Sequence, residues 1–388
     1  LLAMTAPPCA KRLIPSKTPA MSDTLELLPV GFRDRLAPVA ERGAAIERAV
    51  LGVLASHGYD RVDPPLAETE RALSQRGGNR TDHLRFTDPI SQRTLALRTD
   101  MTTQIGRIAA SRLADAPRPL RLCYAGQVLR LRSGQLRPER QMTQIGAEII
   151  GSDEVAAARE VVSLAIEALQ AAGVTGITVD FTLPDLVDRL AETRYPLDGA
   201  KLEAVKAELD SKDAGGLAAL GAQDYLPLIA AAGPYHDALT KLEALDAGGA
   251  LASRIEGLRA IALPIADDIR LTLDPTERHG FEYQSWFGFT LYADGHVASL
   301  GRGGTYALGQ ADGGSEPATG FSLYPDALAE AGNGESERRL FLPIGHDGAA
   351  AAKLRSEGWR TVAALSDADD ANALGCTHRM ENGAAKPL

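Results

Sequence analysis

The sequence predicts an α+β fold, a mainly antiparallel sheet flanked by helices rather than a doubly wound parallel sheet. Three observations carry that expectation. LRLCYAGQVLRLR (120–132) and PERQMTQIGAEIIG (138–151) are arms of similar length around a five-residue loop, too short for a parallel crossover. Further on, Phe281, Tyr283, Ser285, Phe287, Phe289 and Leu291 alternate with Glu282, Gln284, Trp286, Gly288 and Thr290, the period of a strand. Between these, residues 153–172 are amphipathic at helical spacing. Residues 184–262 are short Ala/Leu-rich helical pieces broken by glycines, an insertion and not more sheet.

The remaining elements follow in order. Ile46, Val50, Val53 and Leu54 place a helix over 40–57, and Gly58 stops it. Tyr59–Val62 is extended and closed by Pro64 and Pro65, which cannot continue a paired strand. Residues 86–100 give two short strands around Asp88-Pro89, and 102–112 a helix. Strands are expected at 176–183, 269–274, 280–294 and 296–304, and tight turns over the glycine-rich 300–314. Residues 339–345, 348–357 and 361–367 form a strand–helix–strand unit, with a polar, frayed tail from Asp369. These elements divide into a core over 21–330 and a small C-terminal unit over 338–388. Residues 1–20 hold four prolines and no acid; they read as a disordered leader or upstream extension before Met21.

Composition limits the function. The chain has 388 residues, 45% hydrophobic and 24% charged, enough for a sizeable core. It has no apolar run of about 18 residues, so no spanning helix is expected. Cys9, Cys123 and Cys376 lie far apart, which argues against a disulfide framework or zinc site and for a reducing cytoplasm. Without Lys11, Arg12 and Lys17, 38 cations face 51 acids, a balance of −13, poor for docking a nucleic acid. The seven histidines are scattered singly, so no metal is expected. The sequence holds neither a P-loop nor a GxSxG motif, and no cofactor is indicated. One cluster stands out. Gln144 and Glu148 share a strand face, Arg130 ends the opposite arm, and Asp100 and Thr102 precede a helix. Carboxylates with an Arg suit a small zwitterion; the alternative is solvated charge on a hairpin.

The order of these segments resembles the catalytic core of class II aminoacyl-tRNA synthetases, histidyl-tRNA synthetase in particular. GYDRVDPPLAE (58–68), with Pro65, resembles motif 1, and residues 125–151 resemble motif 2. LALRTDMTTQIGR (95–107) is similar to the family's Leu-Arg-Pro-Glu-(Gly/Met)-Thr, with Asp100 in the Glu position. HGFEYQSW (279–286) resembles the histidine-recognition segment, and 302–328 motif 3. The resemblance implies a pocket of Asp100, Thr102, Arg130, Gln144, Glu148 and Tyr283. The departures dismantle the ATP side, and two of them, His279 and Gln284, fall in the histidine-recognition segment and weaken the pocket. Arg132 replaces the motif 2 Glu that reads adenine, His279 the histidine-specific Arg, Gln284 a Tyr, and Asp326-Ala327 the Glu-Arg of motif 3. Adenylation rests on stabilising phosphate charge, and losing one such group costs on the order of 10²–10³ in rate.

About sixty residues follow motif 3, with an acidic run at 366–370, which does not suit an anticodon-binding domain or tRNA. This combination resembles the synthetase-like regulatory subunits of ATP phosphoribosyltransferase. The resemblance implies a non-catalytic partner of a short-form catalytic subunit, with histidine as effector at the old pocket or a subunit interface. A working histidyl-tRNA synthetase or other adenylate-forming relative is the alternative, and a scaffold blind to histidine a third. Motif 1 further implies a homodimer through 46–65. Dilute-solution scattering should report at least a dimer; a monomer would count against it.

Overall fold

The computed structural model describes residues 28–74, 83–131, 139–246, 248–278, 284–309, 314–331 and 338–388. The chain opens with α1 (Val39–Ser56), β1 (Asp60–Arg61), β2 (Ala67–Thr69), α2 (Glu70–Ser74), β3 (Arg85–Thr87), β4 (Thr94–Leu97) and α3 (Thr102–Ser111). The hairpin β5 (Leu120–Leu129) and β6 (Gln141–Ile150) comes next, then α4 (Val155–Ala171) and β7 (Ile177–Thr182). The helical block contains α5 (Leu186–Thr193), α6 (Gly199–Asp210), α7 (Ala214–Ala219), α8 (Leu226–Ala230), the short β8 (Gly233–Pro234), α9 (Tyr235–Leu245) and α10 (Ala252–Ala262). After it run β9 (Arg270–Leu273), β10 (Gln284–Ala293), β11 (Gly301–Gly309), β12 (Ser315–Leu323) and α11 (Asp326–Ala331). The chain ends in β13 (Arg339–Leu342), α12 (Gly348–Ser356), β14 (Arg360–Ala363), β15 (His378–Glu381) and β16 (Ala384–Pro387). No helix among the described residues is long and apolar enough to cross a membrane.

Nine strands form one sheet in the order β1-β5-β6-β12-β11-β10-β7-β9-β8. Its pairs are antiparallel except β1/β5 and β7/β9. Period-two alternation gives the sheet two unlike faces. One carries Ile145, Ala147, Ile149, Phe321, Phe287, Phe289, Leu291, Val179 and Phe181, which share the main apolar cluster with α1, α4, α9 and α10. On the other face Glu148, Gly320 and Gly304 stand in register across β6, β12 and β11. That face is not bare. Met101 and Ile105 at the start of α3 pack on Leu122, Tyr124 and Met142, so helices lie on both sides of the sheet and α3 walls the polar face.

The glycine-rich segment corrects the sequence expectation. Instead of turns, 301–309 is strand β11, in register with β12 over its whole length. Its glycines answer to crowding. A Cβ at Gly303 would meet Phe289 at 2.7 Å, and one at Gly301 the Ser322 carbonyl at 2.5 Å. The turn lies earlier, at Gly295 (φ 79°), and residues 310–313 fall outside the described residues.

Strand β10 is likewise less regular than its alternation predicts. Gln284 pairs with Tyr306 but Gly288 with Gly304, so four steps on β10 oppose two on β11. This bulge turns both Trp286 and Phe287 toward the helical side, while Gln284 lines the opposite face. The Thr305 hydroxyl accepts from the backbone N–H groups of Trp286 (3.2 Å) and Phe287 (3.1 Å), which a bulge takes out of the ladder.

The tail from Asp369 is ordered, contrary to expectation. β15 and β16 complete a four-stranded sheet with β14 and β13, joined through Asn382 and Gly383, both at positive φ. Asn-Gly is a strong two-residue hairpin signal. Arg360 on β14 donates to Glu41 on α1 (2.6 Å). Within the main core Phe289 is fully buried and stacks on Phe287 with centroids 5.9 Å apart. Phe289→Ala should lower unfolding free energy by about 3–5 kcal/mol, as read from denaturant titration.

Candidate functional site

The polar face encloses a cavity of about 260 Å³, a size for a metabolite as small as an amino acid and below the roughly 300–1,000 Å³ of sites for drug-sized ligands. Its floor is made by absence of side chains. A Cβ at Gly320 would stand 1.6 Å from Glu148 Oε2, and one at Gly304 would stand 1.9 Å from Gln284 Oε1. Only glycine lets these two polar groups lie over the strands.

Glu148 on β6 is 1% exposed. Tyr306 donates to its Oε2 at 2.7 Å and Tyr124 to its Oε1 at 3.1 Å. Burial pushes its pKa from the ordinary 4.5 up to about 8, although both phenols pull it down. The carboxyl is therefore largely protonated at neutral pH. Burial and the Glu148 charge in turn raise the Tyr124 phenol, which keeps it a donor.

Asp100 and Thr102 also line the cavity. Asp100 is held from two sides: Thr102 N–H donates to Oδ1 (2.7 Å) and Gln144 Nε2 to Oδ2 (2.8 Å). Gln144 is fully buried; its Nε2 also donates to Ser322 Oγ (2.8 Å) and its carbonyl accepts from Met101 N–H (2.9 Å). Both its donors and its carbonyl are thus engaged, and it stands behind the lining as support for Asp100. The Thr102 hydroxyl lies 3.1 Å from Tyr124 OH, so one hydrogen-bond network joins Asp100 to Glu148.

Arg98 anchors the segment that carries Asp100. It is 5% exposed and donates to the carbonyls of Gln127 and Pro64 (2.8 Å each), tying the motif 1 segment to the first hairpin arm. Arg130 is half-buried, with its guanidinium carbon 5.8 Å from the Tyr324 ring centre. Tyr324 lines the cavity and Arg130 does not. Tyr283, Arg132 and His279 lie outside the described residues. Asp326, at the motif 3 position, accepts from Arg35 (2.6 Å) and from Thr143 N–H (2.8 Å), so its carboxylate is committed to structure.

Arg302, Gln284 and Tyr306 line the cavity without having been legible as site residues. The available signal was parity. Gly304 shares a face with Glu148 through Gly320, so 302 and 306 do too, whereas the bulge hides Gln284 from that argument.

The comparisons with known proteins agree with this architecture. A family model described as Histidyl-tRNA synthetase matches residues 31–328. A protein of Paramagnetospirillum magneticum named ATP phosphoribosyltransferase regulatory subunit is 45% identical, over 91% of this chain and 96% of its own length. One of the same name from Rhodospirillum centenum is 43% identical, over 94% and 96%. A solved structure titled ATP phosphoribosyltransferase regulatory subunit/histidyl-tRNA synthetase, from Bacillus halodurans, superposes with a TM-score of 0.75 at 24% identity, covering 92% of this chain and 97% of that one.

The Glu148 carboxyl has a stability consequence of definite sign. Its folded pKa lies above its unfolded one, so the folded state binds more protons between about pH 4.5 and 8. Its contribution is full below pH 4.5 and is lost as pH rises through about 8. Glu148→Gln should therefore lose less stability between pH 5 and pH 8.5 than the wild type. Urea titrations at the two pH values check this; equal losses in both proteins would place the titration elsewhere.

Proposed function

The chain belongs to the family of ATP phosphoribosyltransferase regulatory subunits, and we propose that it works as a non-catalytic one. In the cytoplasm it activates a short-form catalytic subunit that has no regulatory domain of its own. It also carries feedback inhibition by histidine in the first step of histidine biosynthesis. The observation that carries this reading is the cavity itself. A buried Glu148 flanked by two phenols suits an imidazole, and Asp100 beside it suits an α-ammonium. Against that, Ala327 and the committed Asp326 leave the motif 3 position without a cation for phosphate.

Histidine inhibits by binding one state of the assembly more tightly than another. Self-association fits the exposed apolar side chains Leu36, Leu66, Phe86 and Ile90, three of which flank or belong to the small β2–β4 sheet.

The full chain should co-purify with a short-form catalytic subunit and raise its phosphoribosyl transfer, and histidine should suppress the activity of the complex. Alone, the chain should catalyse neither that transfer nor histidine-dependent ATP–pyrophosphate exchange; robust exchange would overturn the reading in favour of a synthetase. Asp100→Asn in the complex should weaken histidine inhibition by about 2–5 kcal/mol in apparent affinity with uninhibited activity kept, as inhibition curves would show.

A further inference from the structure

We infer that Arg302 is the carboxylate anchor of this cavity, which makes it a site for a free α-amino acid and not for a bare imidazole or an amine. The inference rests on the reading above and adds to it the group that distinguishes an amino acid from its decarboxylated form.

Arg302 is the one Lys or Arg among the described residues that line the cavity. It makes no ion pair or side-chain hydrogen bond among the described residues, although Asp100 and Glu148 line the same space. A half-buried guanidinium left with donors to spare beside two acids is placed for an incoming anion.

Its location gives the pocket a direction. Across the sheet Glu148 pairs with Gly320, and Gly320 with Gly304. Arg302 lies two residues further along β11, opposite Ser322. The backbones of Glu148 and Arg302 are thus two strand spacings across and two residues along, about 12 Å apart. Their side chains narrow that gap from both ends, over a floor where Gly304 and Gly320 carry none.

Gln284 Oε1 supplies the second observation. It is a buried acceptor without a hydrogen-bond partner among the described residues over Gly304, and such a group costs free energy until a donor arrives. Asp100 lines the same cavity and offers the α-ammonium a second acceptor. An imidazole at Glu148, an ammonium in the middle and a carboxylate at Arg302 fill the three positions in the order histidine presents them. Among the described residues Arg130 meets the cavity lining through the Tyr324 ring, so it does not compete for the carboxylate.

Calorimetry on the full chain tests this with histidine and with histamine, which keeps the imidazole and ammonium and lacks the carboxylate. Wild type should prefer histidine by on the order of 30-fold or more, the loss typical of an unpaired charged partner. Arg302→Gln should abolish that preference by weakening histidine while leaving histamine within about threefold; Arg130→Gln should retain it. A preference unchanged in a folded Arg302→Gln variant overturns the anchor and leaves the regulatory reading standing. Should that variant not fold, the wild-type pair of ligands decides, and equal affinities overturn the anchor. Failure of histidine to bind the wild type at all overturns the amino-acid pocket and the anchor with it.

Discussion

Everything in the site depends on one steric condition: no side chain at Gly320. Strand β12 runs between β6 and β11, and the Glu148 carboxylate lies across it, with Oε2 where a Cβ of residue 320 would be. That placement brings the carboxyl to Tyr306 on β11 as well as Tyr124 on β5. Four strands therefore meet at one acid. A side chain at 320 would expel Glu148 from the sheet surface, cut the tie between β6 and β11 and fill the cavity together. The same logic repeats at Gly304 under Gln284 and at Gly146, where a Cβ would come 2.4 Å from the Tyr124 hydroxyl.

The helical face supports this from behind. Phe287, Phe289 and Phe321 fill the space between sheet and helices, and the β10 bulge commits Trp286 to that side too. Trp286 donates to the Asp153 carbonyl (2.8 Å) and lies 5.2 Å under Arg254 of α10. Turning two successive residues toward the helices requires a break in alternation, and the break aims Gln284 at the cavity. Bulges commonly re-aim a side chain beside a functional site. Here Thr305 accepts from the N–H groups of Trp286 and Phe287 that the bulge frees.

The fold was legible because its signals are periodic. The β5/β6 hairpin, α4 and the helical block follow from spacing that burial enforces. What was not legible has physical causes. Glycines over 301–309 signal turns when read locally, yet they are set by contacts with β10 and β12 that sequence spacing does not reveal. The C-terminal hairpin was legible in principle from Asn382-Gly383, but a polar tail masks a two-residue turn. At the site, Asp100, Thr102 and Glu148 follow from motif resemblance, and each lines the cavity. Gln144 follows from the same motif but sits one layer back, because its donors are consumed in holding Asp100. Arg302 escaped because a cation on a strand is ordinarily solvated; only the cross-strand register shows that it faces inward.

The proton on Glu148 bears on which ligands such a pocket favours. A carboxyl held up near 8 carries a proton at neutral pH, whereas free imidazole, at about 6.5, mostly does not. Brought together, they share one proton between two sites, either as acid and neutral ring or as carboxylate and imidazolium, and these forms carry the same net charge. Between those two pKa values binding thus requires no net proton uptake or release, and the titration belongs to the pair. A lysine ammonium at the same place would drive the proton off Glu148, at the cost of an ion pair in a site where burial already penalises charge. The two phenols suit the shared-proton arrangement, since one donates to each carboxyl oxygen. An imidazole in the proposed pocket would therefore be favoured by the same burial that raises the carboxyl, and that burial comes from a strand that carries no side chain at residue 320.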